Sequence, residues 1–175
     1  VLAFGYSPIR NTAFDGIHAL PPAHILRWHD GHTTTERYWD LDWSTSRSLE
    51  PQEAVQGALD VIRDAVRRRL VSERPLGVFL SGGIDSTIVA ALARDIQEGP
   101  ISTFTASFGD PRFDESTHAR AVAEALGTQH HTLQVTADPT LIGDRLPVVF
   151  DQPFADSSAV PTYLLAHFAS EHIVV

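Results

Sequence analysis

One short run of residues, Ser81-Gly82-Gly83-Ile84-Asp85-Ser86, has the side chains and spacing best suited to chemistry. Two adjacent glycines let main-chain N–H groups approach a ligand without obstruction by Cβ atoms. A helix that begins here would add unpaired N–H donors at the positive end of its dipole, which favours an anion. Ser81 and Ser86 supply hydroxyl donors. Asp85 would repel an anion unless a cation came with it, and a carboxylate beside phosphates typically holds Mg²⁺.

The elements on either side must position this loop. Residues 77–80 are a short apolar run that predicts a buried strand, and residues 86–97 predict a helix. This strand–loop–helix context favours a phosphate site over a turn that merely uses glycine. The loop is not a Walker A motif, because that motif needs a lysine and every basic residue here is arginine. It also lacks the third glycine of a dinucleotide fingerprint.

The rest of the chain alternates between strands and helices. Further strands are predicted at residues 103–108 and 131–135 and from Ile173 onward. The predicted helices are residues 51–70, 115–126 and 161–170 and a segment opening at Asp138-Pro139. Such alternation predicts an α/β fold, with a parallel sheet flanked by helices. The first forty-odd residues instead look β-rich, with a hairpin turn at Asp30-Gly31, and residues 44–48 look like a linker.

Composition limits the class of protein. The chain is 43% hydrophobic and 20% charged, as in globular domains. Its formal net charge of −9 disfavours a main function in binding nucleic acid. It has no cysteine, which rules out disulfides, thiolate metal sites and a cysteine nucleophile within these 175 residues. No apolar run approaches the roughly 20 residues of a membrane helix, and no signal-peptide pattern is present, so we expect a cytoplasmic protein.

The histidines suggest a metal site at first, since the chain has nine of them. His130 and His131 are adjacent on a predicted strand, however, so their side chains should point to opposite faces and cannot chelate one ion. His24, His29 and His32 flank the predicted hairpin turn without a carboxylate pattern to complete a site. We expect packing or surface roles for all of them.

The Ser-Gly-Gly-x-Asp-Ser pattern resembles the pyrophosphate loop of the ATP pyrophosphatase superfamily, whose members cleave ATP between the α and β phosphates. Other segments resemble the glutamine-hydrolysing asparagine synthetases: residues 2–6, 16–24, 37–41, 74–80, 113–115, 126–128, 130–131 and 151–158. This resemblance covers essentially the whole chain. It implies that residues 1–45 are the C-terminal part of a glutaminase domain. Residues 46–175 would then be the first part of an adenine-nucleotide α-hydrolase-like synthetase domain.

The resemblance also implies a reaction. ATP activates the side-chain carboxylate of aspartate as β-aspartyl-AMP and releases pyrophosphate, and ammonia derived from glutamine then attacks. The cofactors implied are ATP and Mg²⁺, and the partners are small molecules rather than nucleic acid or a membrane. The resemblance is compatible with a homodimer of the full-length protein.

Individual site residues follow from the same resemblance. The residues implied to bind ATP are Leu80, Ser81, Gly82, Gly83, Asp85, Ser86, Ala106 and Ser107. Within this set the serines and glycines of the loop would cradle the β and γ phosphates, Asp85 would hold Mg²⁺, and Leu80, Ala106 and Ser107 would flank the adenine. The residues implied to lie near the aspartate are Asp156, Ser157 and Ser158. Capping of the following helix explains Asp156 or Ser157 equally well.

The chain departs from the family pattern at Ala23, where glycine is common, and at Gln152, where glutamate is common. The second departure argues against a metal or ATP role at position 152. The N-terminal cysteine nucleophile of the family is absent, and its second Ser-Gly-rich loop and catalytic lysine are expected after Val175. The chain also lacks methionine and ends on an apolar run. We therefore expect a piece of a longer protein that is inactive as a synthetase by itself.

Three alternatives to asparagine synthesis remain open. A related enzyme, such as a β-lactam synthetase or a peptide macrocyclase, would adenylate another carboxylate with the same loop. An NAD or GMP synthetase would share the loop, but residues 37–41 argue against it. A non-catalytic module would bind ATP without activating any acid.

Overall fold

The computed structural model describes residues 5–7, 11–44, 46–136, 140–150 and 155–173. In chain order, its elements are β1 (His24–His29), β2 (His32–Arg37), α1 (Pro51–Arg69), β3 (Gly77–Phe79), α2 (Ile84–Ile96), β4 (Ser102–Phe108), α3 (Ser116–Leu126), β5 (Gln129–Val135), a π-helical turn (Leu141–Arg145), α4 (Leu146–Val149) and α5 (Ala159–His172). The chain forms two compact units. One contains residues 1–48 and 139–159, and the other contains residues 49–138 and 160–175.

The first unit contains an antiparallel hairpin, in which His24 of β1 lies opposite Arg37 of β2. Its turn residues Asp30 and Gly31 have φ angles of 47° and 78°. Positive φ at both central residues is what a type I′ turn requires, and Asp-Gly satisfies it. The predicted hairpin is therefore confirmed. The strands are mostly exposed, and Trp28 keeps 70% of its surface in solvent.

The second unit is built on a parallel sheet with the strand order β3-β4-β5. Phe79 is paired with Phe104, and Phe104 with His131. Helix α2 connects β3 to β4 and α3 connects β4 to β5, since parallel neighbours need a crossover of this kind. The predicted α/β fold is confirmed.

Helices cover both faces of this sheet. On one face, helices α1, α2 and α3 bury Val66, Leu92, Ala90 and Ala119 together with Leu80 at the end of β3. On the other face, Leu165 and Ala169 of α5 pack against Phe104, whose exposure is 0%. The core of the unit thus lies on both faces of the sheet. None of the helices in the described parts of the chain is long and apolar enough to cross a bilayer.

Element boundaries differ from the predicted ones by one or two residues, for physical reasons. Strand β5 begins at Gln129 because its N–H donates to the Ile101 carbonyl at 2.9 Å, which extends the ladder. Helix α2 begins at Ile84, so the glycine turn is shorter than predicted. The predicted helix start at Asp138-Pro139 lies outside the described residues. The strand predicted from Ile173 onward is wrong at Ile173, because the Ile173 N–H donates to the Ala169 carbonyl at 2.9 Å and so continues the hydrogen bonding of α5; residues 174–175 lie outside the described residues.

Candidate functional site

The loop between β3 and α2 is anchored at Leu80, which is 1% exposed. The Leu80 N–H donates to the Phe104 carbonyl at 2.9 Å, which continues the pairing with β4 by one residue. The Leu80 carbonyl accepts a hydrogen bond from the Thr105 hydroxyl. These two bonds fix the point at which the chain leaves the sheet.

Beyond Leu80, the two serines hold the loop in shape. Ser86 Oγ accepts from the Ser81 N–H at 3.2 Å and lies 3.0 Å from Ser81 Oγ. It also donates to the Gly83 carbonyl at 3.2 Å. Ser81 Oγ in turn accepts from the Gly83 N–H at 3.3 Å. Because Ser86 donates its only hydroxyl proton to Gly83, Ser81 is the donor in the hydrogen bond between the two hydroxyls, and both side chains stabilise the loop.

The start of α2 presents unused donors. The N-cap residue is Gly83, so no side chain caps the helix. The first N–H group of α2 with a main-chain acceptor is that of Thr87, which donates to the Gly83 carbonyl at 3.0 Å. In the part of the chain that the structure describes, the N–H groups of Ile84, Asp85 and Ser86 have no acceptor. Ile84 and Asp85 are exposed and Ser86 is half-buried, so this helix start is open to solvent at its first two residues. Such a helix start attracts anions.

Gly82 is fixed by its neighbours as well as by its backbone. Its φ of 85° lies in the left-handed region. A Cβ at this position would lie 2.7 Å from the N atom of Ala119 and 2.9 Å from Cβ of His118, both on α3. The glycine therefore allows the loop to touch α3 directly.

A cavity of about 340 Å³ opens beside the loop, at the carboxyl ends of β3 and β4. This edge of an open α/β sheet is where ligands usually bind. The volume of the cavity is typical of a small-molecule site. Its wall consists of Phe79, Leu80, Ser81, Ser86, Phe104, Thr105, Ala106, Phe108, Phe113, Glu115 and Leu165. The wall is mainly apolar, and its few polar groups include the two loop serines.

The structure separates the two residues expected to flank an adenine at the end of β4. Ala106 lines the cavity together with Leu80. Ser107 is 7% exposed and lies outside the cavity wall. Its hydroxyl donates to Asp114 Oδ2 at 2.9 Å.

Asp114 is a positioning residue that the sequence analysis did not assign. Its Oδ1 accepts from the Ser116 N–H at 2.9 Å at the start of α3, and its Oδ2 accepts from Ser107. The hydrogen bonds from Ser116 first, and also from Ser107, hold the pKa of Asp114 below its usual value. An aspartate two residues before a helix is a recognisable capping signal, but its link to Ser107 depends on the fold.

Asp85, the residue expected to hold Mg²⁺, lies exposed in the first turn of α2. Its carboxylate has no hydrogen-bond or ion-pair partner within the described residues. Those residues also contain no group of three or more histidine or acidic side chains that could hold a metal ion by themselves. One free carboxylate beside a helix start that favours anions fits Mg²⁺, which is usually held by one or two carboxylates together with substrate phosphates.

Asp156 caps a helix. Its Oδ1 accepts from the Ser158 N–H at 2.8 Å, and its carbonyl accepts from the Ala159 N–H at 3.1 Å. The bond from the Ser158 N–H lowers the pKa of the Asp156 carboxyl. The capping interpretation is thus observed, and Ser157 and Ser158 are exposed beside it. Gln152 lies outside the described residues.

The adjacent histidines of β5 point to opposite faces, as predicted. His130 Nδ1 lies 3.0 Å from Thr103 Oγ1 on the α3 side of the sheet. The His131 ring stacks on Phe104 with centroids 5.0 Å apart. Burial, as the largest cause, lowers the pKa of both rings. Both histidines serve packing.

Comparison with known proteins identifies relatives of this chain. Curated relatives include an asparagine synthetase [glutamine-hydrolyzing] of Bacillus subtilis, 31% identical over 83% of this chain, and a putative one of Mycobacterium bovis, 40% identical over 66%. Amidase chyE of Penicillium rubens is 31% identical over 71%. This chain spans 23%, 18% and 21% of the length of those three proteins.

Among solved structures, an NH3-dependent NAD synthetase from Campylobacter jejuni matches with a TM-score of 0.43 and 14% identity, over 66% of this chain and 52% of that one. A match this weak does not bear on function. The family model of asparagine synthase matches residues 57–175, which include the loop, the cavity wall and α5. This chain therefore belongs to the asparagine synthase family.

Proposed function

We propose that the loop of residues 81–86 binds the β and γ phosphates of ATP in an enzyme that converts aspartate to asparagine. The observation that carries the proposal is the set of unpaired N–H groups on Ile84, Asp85 and Ser86, in the loop whose two serines line the cavity. A triphosphate placed there would accept these hydrogen bonds while its nucleoside entered the apolar cavity. Family membership supports ATP-dependent amidation in general.

In the proposed reaction, a side-chain carboxylate oxygen of aspartate attacks the α phosphorus of ATP. The bond from that phosphorus to the oxygen bridging the α and β phosphates breaks, which leaves β-aspartyl-AMP and pyrophosphate. Ammonia derived from glutamine then attacks the acyl carbon, and AMP leaves. The N–H groups of the loop would orient the departing pyrophosphate and stabilise its charge. Asp85 would hold Mg²⁺, which would neutralise phosphate charge.

The remaining assignments belong to the same proposal. Residues 1–45 would be the C-terminal part of a glutaminase domain, and residues 46–175 part of the synthetase domain. The family match from residue 57 onward supports the second assignment. Asp156, Ser157 and Ser158 would lie near the aspartate, with Asp156 capping α5 at the same time. We place the activity in the cytoplasm.

A second candidate is an adenylating enzyme that amidates or cyclises another carboxylate. The 31% identity with Amidase chyE favours keeping it, because the name of that relative is not asparagine synthetase. The loop and cavity would act in the same way, and only the acid would change. Product analysis of the complete protein with a panel of amino and other carboxylic acids separates the two candidates.

The test is the exchange of radiolabelled pyrophosphate into ATP by the complete protein, with and without aspartate. We expect exchange that requires aspartate. Ser86→Ala should lower it at least tenfold, because Ser81 N–H loses its acceptor and the loop loosens. Ser170→Ala is the matched control: its exposed hydroxyl bonds to the His167 carbonyl on α5, away from the loop, so exchange should not change.

Three results would contradict the proposal in different ways. ATP binding without exchange for any acid would indicate a non-catalytic module. Exchange that depends on another acid, and not on aspartate, would favour the second candidate. Failure to bind ATP at all would remove the assignment of the loop itself.

A further inference from the structure

The segment between β4 and α3 places an aromatic side chain at the cavity and leaves it in solvent. Phe113 forms part of the cavity wall, yet 67% of its surface is exposed. A phenylalanine in solvent forgoes the free energy that burial would give it. Such a ring at the edge of an apolar cavity is typical of a site that a ligand covers.

The chain on both sides of Phe113 is held in place. Before it, the Arg112 Nε donates to both carboxylate oxygens of Asp110, at 3.0 and 3.1 Å, and the Phe113 N–H donates to the Asp110 carbonyl at 3.0 Å. After it, Asp114 accepts from Ser107 and Ser116. The exposed ring therefore lies in a segment that hydrogen bonds hold on both sides.

The surroundings indicate what could cover the ring. The Arg112 guanidinium carbon lies 5.5 Å from its centroid, so a cation is already paired with the π system. Phe79, Phe108 and Leu165 give the cavity an apolar interior, while Ser81 and Ser86 mark its polar end. A ligand that fits has a flat apolar end and an anionic end, as a nucleoside triphosphate does.

We propose that Phe113 stacks on the adenine ring of ATP and acts as the base-recognising residue of the site. The inference rests on the proposed function, since it assumes that the triphosphate lies on the loop. It goes beyond that function by assigning part of the nucleotide affinity to an aromatic contact outside the loop. Stacking accepts any purine, so the contact should favour nucleotides over phosphates that carry no base, without distinguishing one purine from another.

The test compares two probes in the complete protein with Mg²⁺: ATP, and inorganic pyrophosphate, which has no base. Calorimetric titration of Phe113→Ala should show ATP affinity about tenfold weaker, the size expected for one base–aromatic stack, and unchanged pyrophosphate affinity. Phe113→Trp should retain or improve ATP binding. Phe113→Leu, which keeps apolar volume without a π system, should fall between. Phe14→Ala removes a ring of similar exposure, 57%, outside the cavity wall and should change neither affinity.

Each result has a distinct meaning. Equal loss of ATP and pyrophosphate affinity in Phe113→Ala would show that the residue only shapes the loop, and this would overturn the inference. Unchanged ATP affinity in both Phe113→Ala and Phe113→Leu would overturn it as well, while the proposed function would stand. If the unsubstituted protein bound neither probe, the proposed function would fail first and the inference with it.

Discussion

Gly31 in the hairpin turn and Gly82 in the candidate phosphate loop both have positive φ, at 78° and 85°. A Cβ placed on Gly31 would meet nothing within 4 Å, whereas one on Gly82 would lie 2.7 Å from the N atom of Ala119. The first glycine satisfies a backbone requirement alone. The second also allows two elements of the α/β unit to touch. Two glycines with similar positive φ angles therefore have different structural roles.

The strands next to the two turns also differ in burial. Every residue of β2 is exposed, while β4 buries Thr103, Phe104, Thr105 and Ser107. The hairpin depends mainly on its turn and on hydrogen bonds between its two strands. The loop depends on contacts with β4 and α3. Damage should consequently remain local in the hairpin and spread in the α/β unit.

The largest expected effect is that of Gly82→Ala. Left-handed strain and overpacking against α3 together should cost about 3 kcal/mol, because the nearest atoms belong to the α3 backbone and cannot rotate away. We expect ATP binding to be lost in the complete protein. Hydrogen–deuterium exchange should also increase in peptides from both α2 and α3. Normal protection of α3 with lost binding would show that Gly82 serves the ligand only.

A smaller effect is expected for Gly31→Ala. Only left-handed strain applies there, so the cost should be about 1 kcal/mol. Exchange should become faster in peptides from β1 and β2, while peptides from α2 and ATP affinity should match those of the unsubstituted protein. Faster exchange in α2 would contradict the contrast between the two turns.

The smallest expected effect is a pH dependence of the stability of the α/β unit. Burial lowers the pKa of His131 below 6.5, so the unfolded chain binds its proton more readily than the folded chain. The neutral His131 therefore contributes its full share of the free energy of unfolding above the pKa of the unfolded state, and this contribution is lost as the pH falls below about 6.5. His131→Phe preserves stacking on Phe104 and cannot be protonated.

The measurement is the urea concentration at which β5 loses protection from pulsed hydrogen exchange, at pH 7.5 and at pH 5.5. We expect the drop between the two pH values to be smaller in His131→Phe than in the unsubstituted protein. Comparable midpoints at pH 7.5 serve as the control for intact packing. An equal drop in both proteins would assign the pH dependence to other groups.

The features that local sequence determines were predictable. Asp30-Gly31 specifies a hairpin turn because both residues tolerate positive φ, and the alternation of strands and helices indicated the parallel sheet. The position of the loop at the end of β3 followed from the same pattern. The family resemblance is confirmed by the match over residues 57–175.

The features that depend on contacts between distant residues were not predictable. Nothing in the sequence around Gly82 indicates that α3 packs on it, and nothing around Ser107 indicates that its hydroxyl bonds to Asp114. Phe113 was part of the resemblance, but its place in the cavity wall requires the three-dimensional arrangement. The role of each loop residue toward ATP remains a prediction.

The hydroxyl groups of Ser81 and Ser86 maintain the shape of the loop through bonds made within the chain itself. The conformational entropy of this segment is therefore lost when the polypeptide folds, and little remains to be lost when a ligand arrives. Association should accordingly resemble docking onto a rigid surface, with a rate set by diffusion and charge. Substitutions that loosen the serine pair should weaken binding mainly because the ligand-free loop becomes flexible and must then be ordered when the ligand binds.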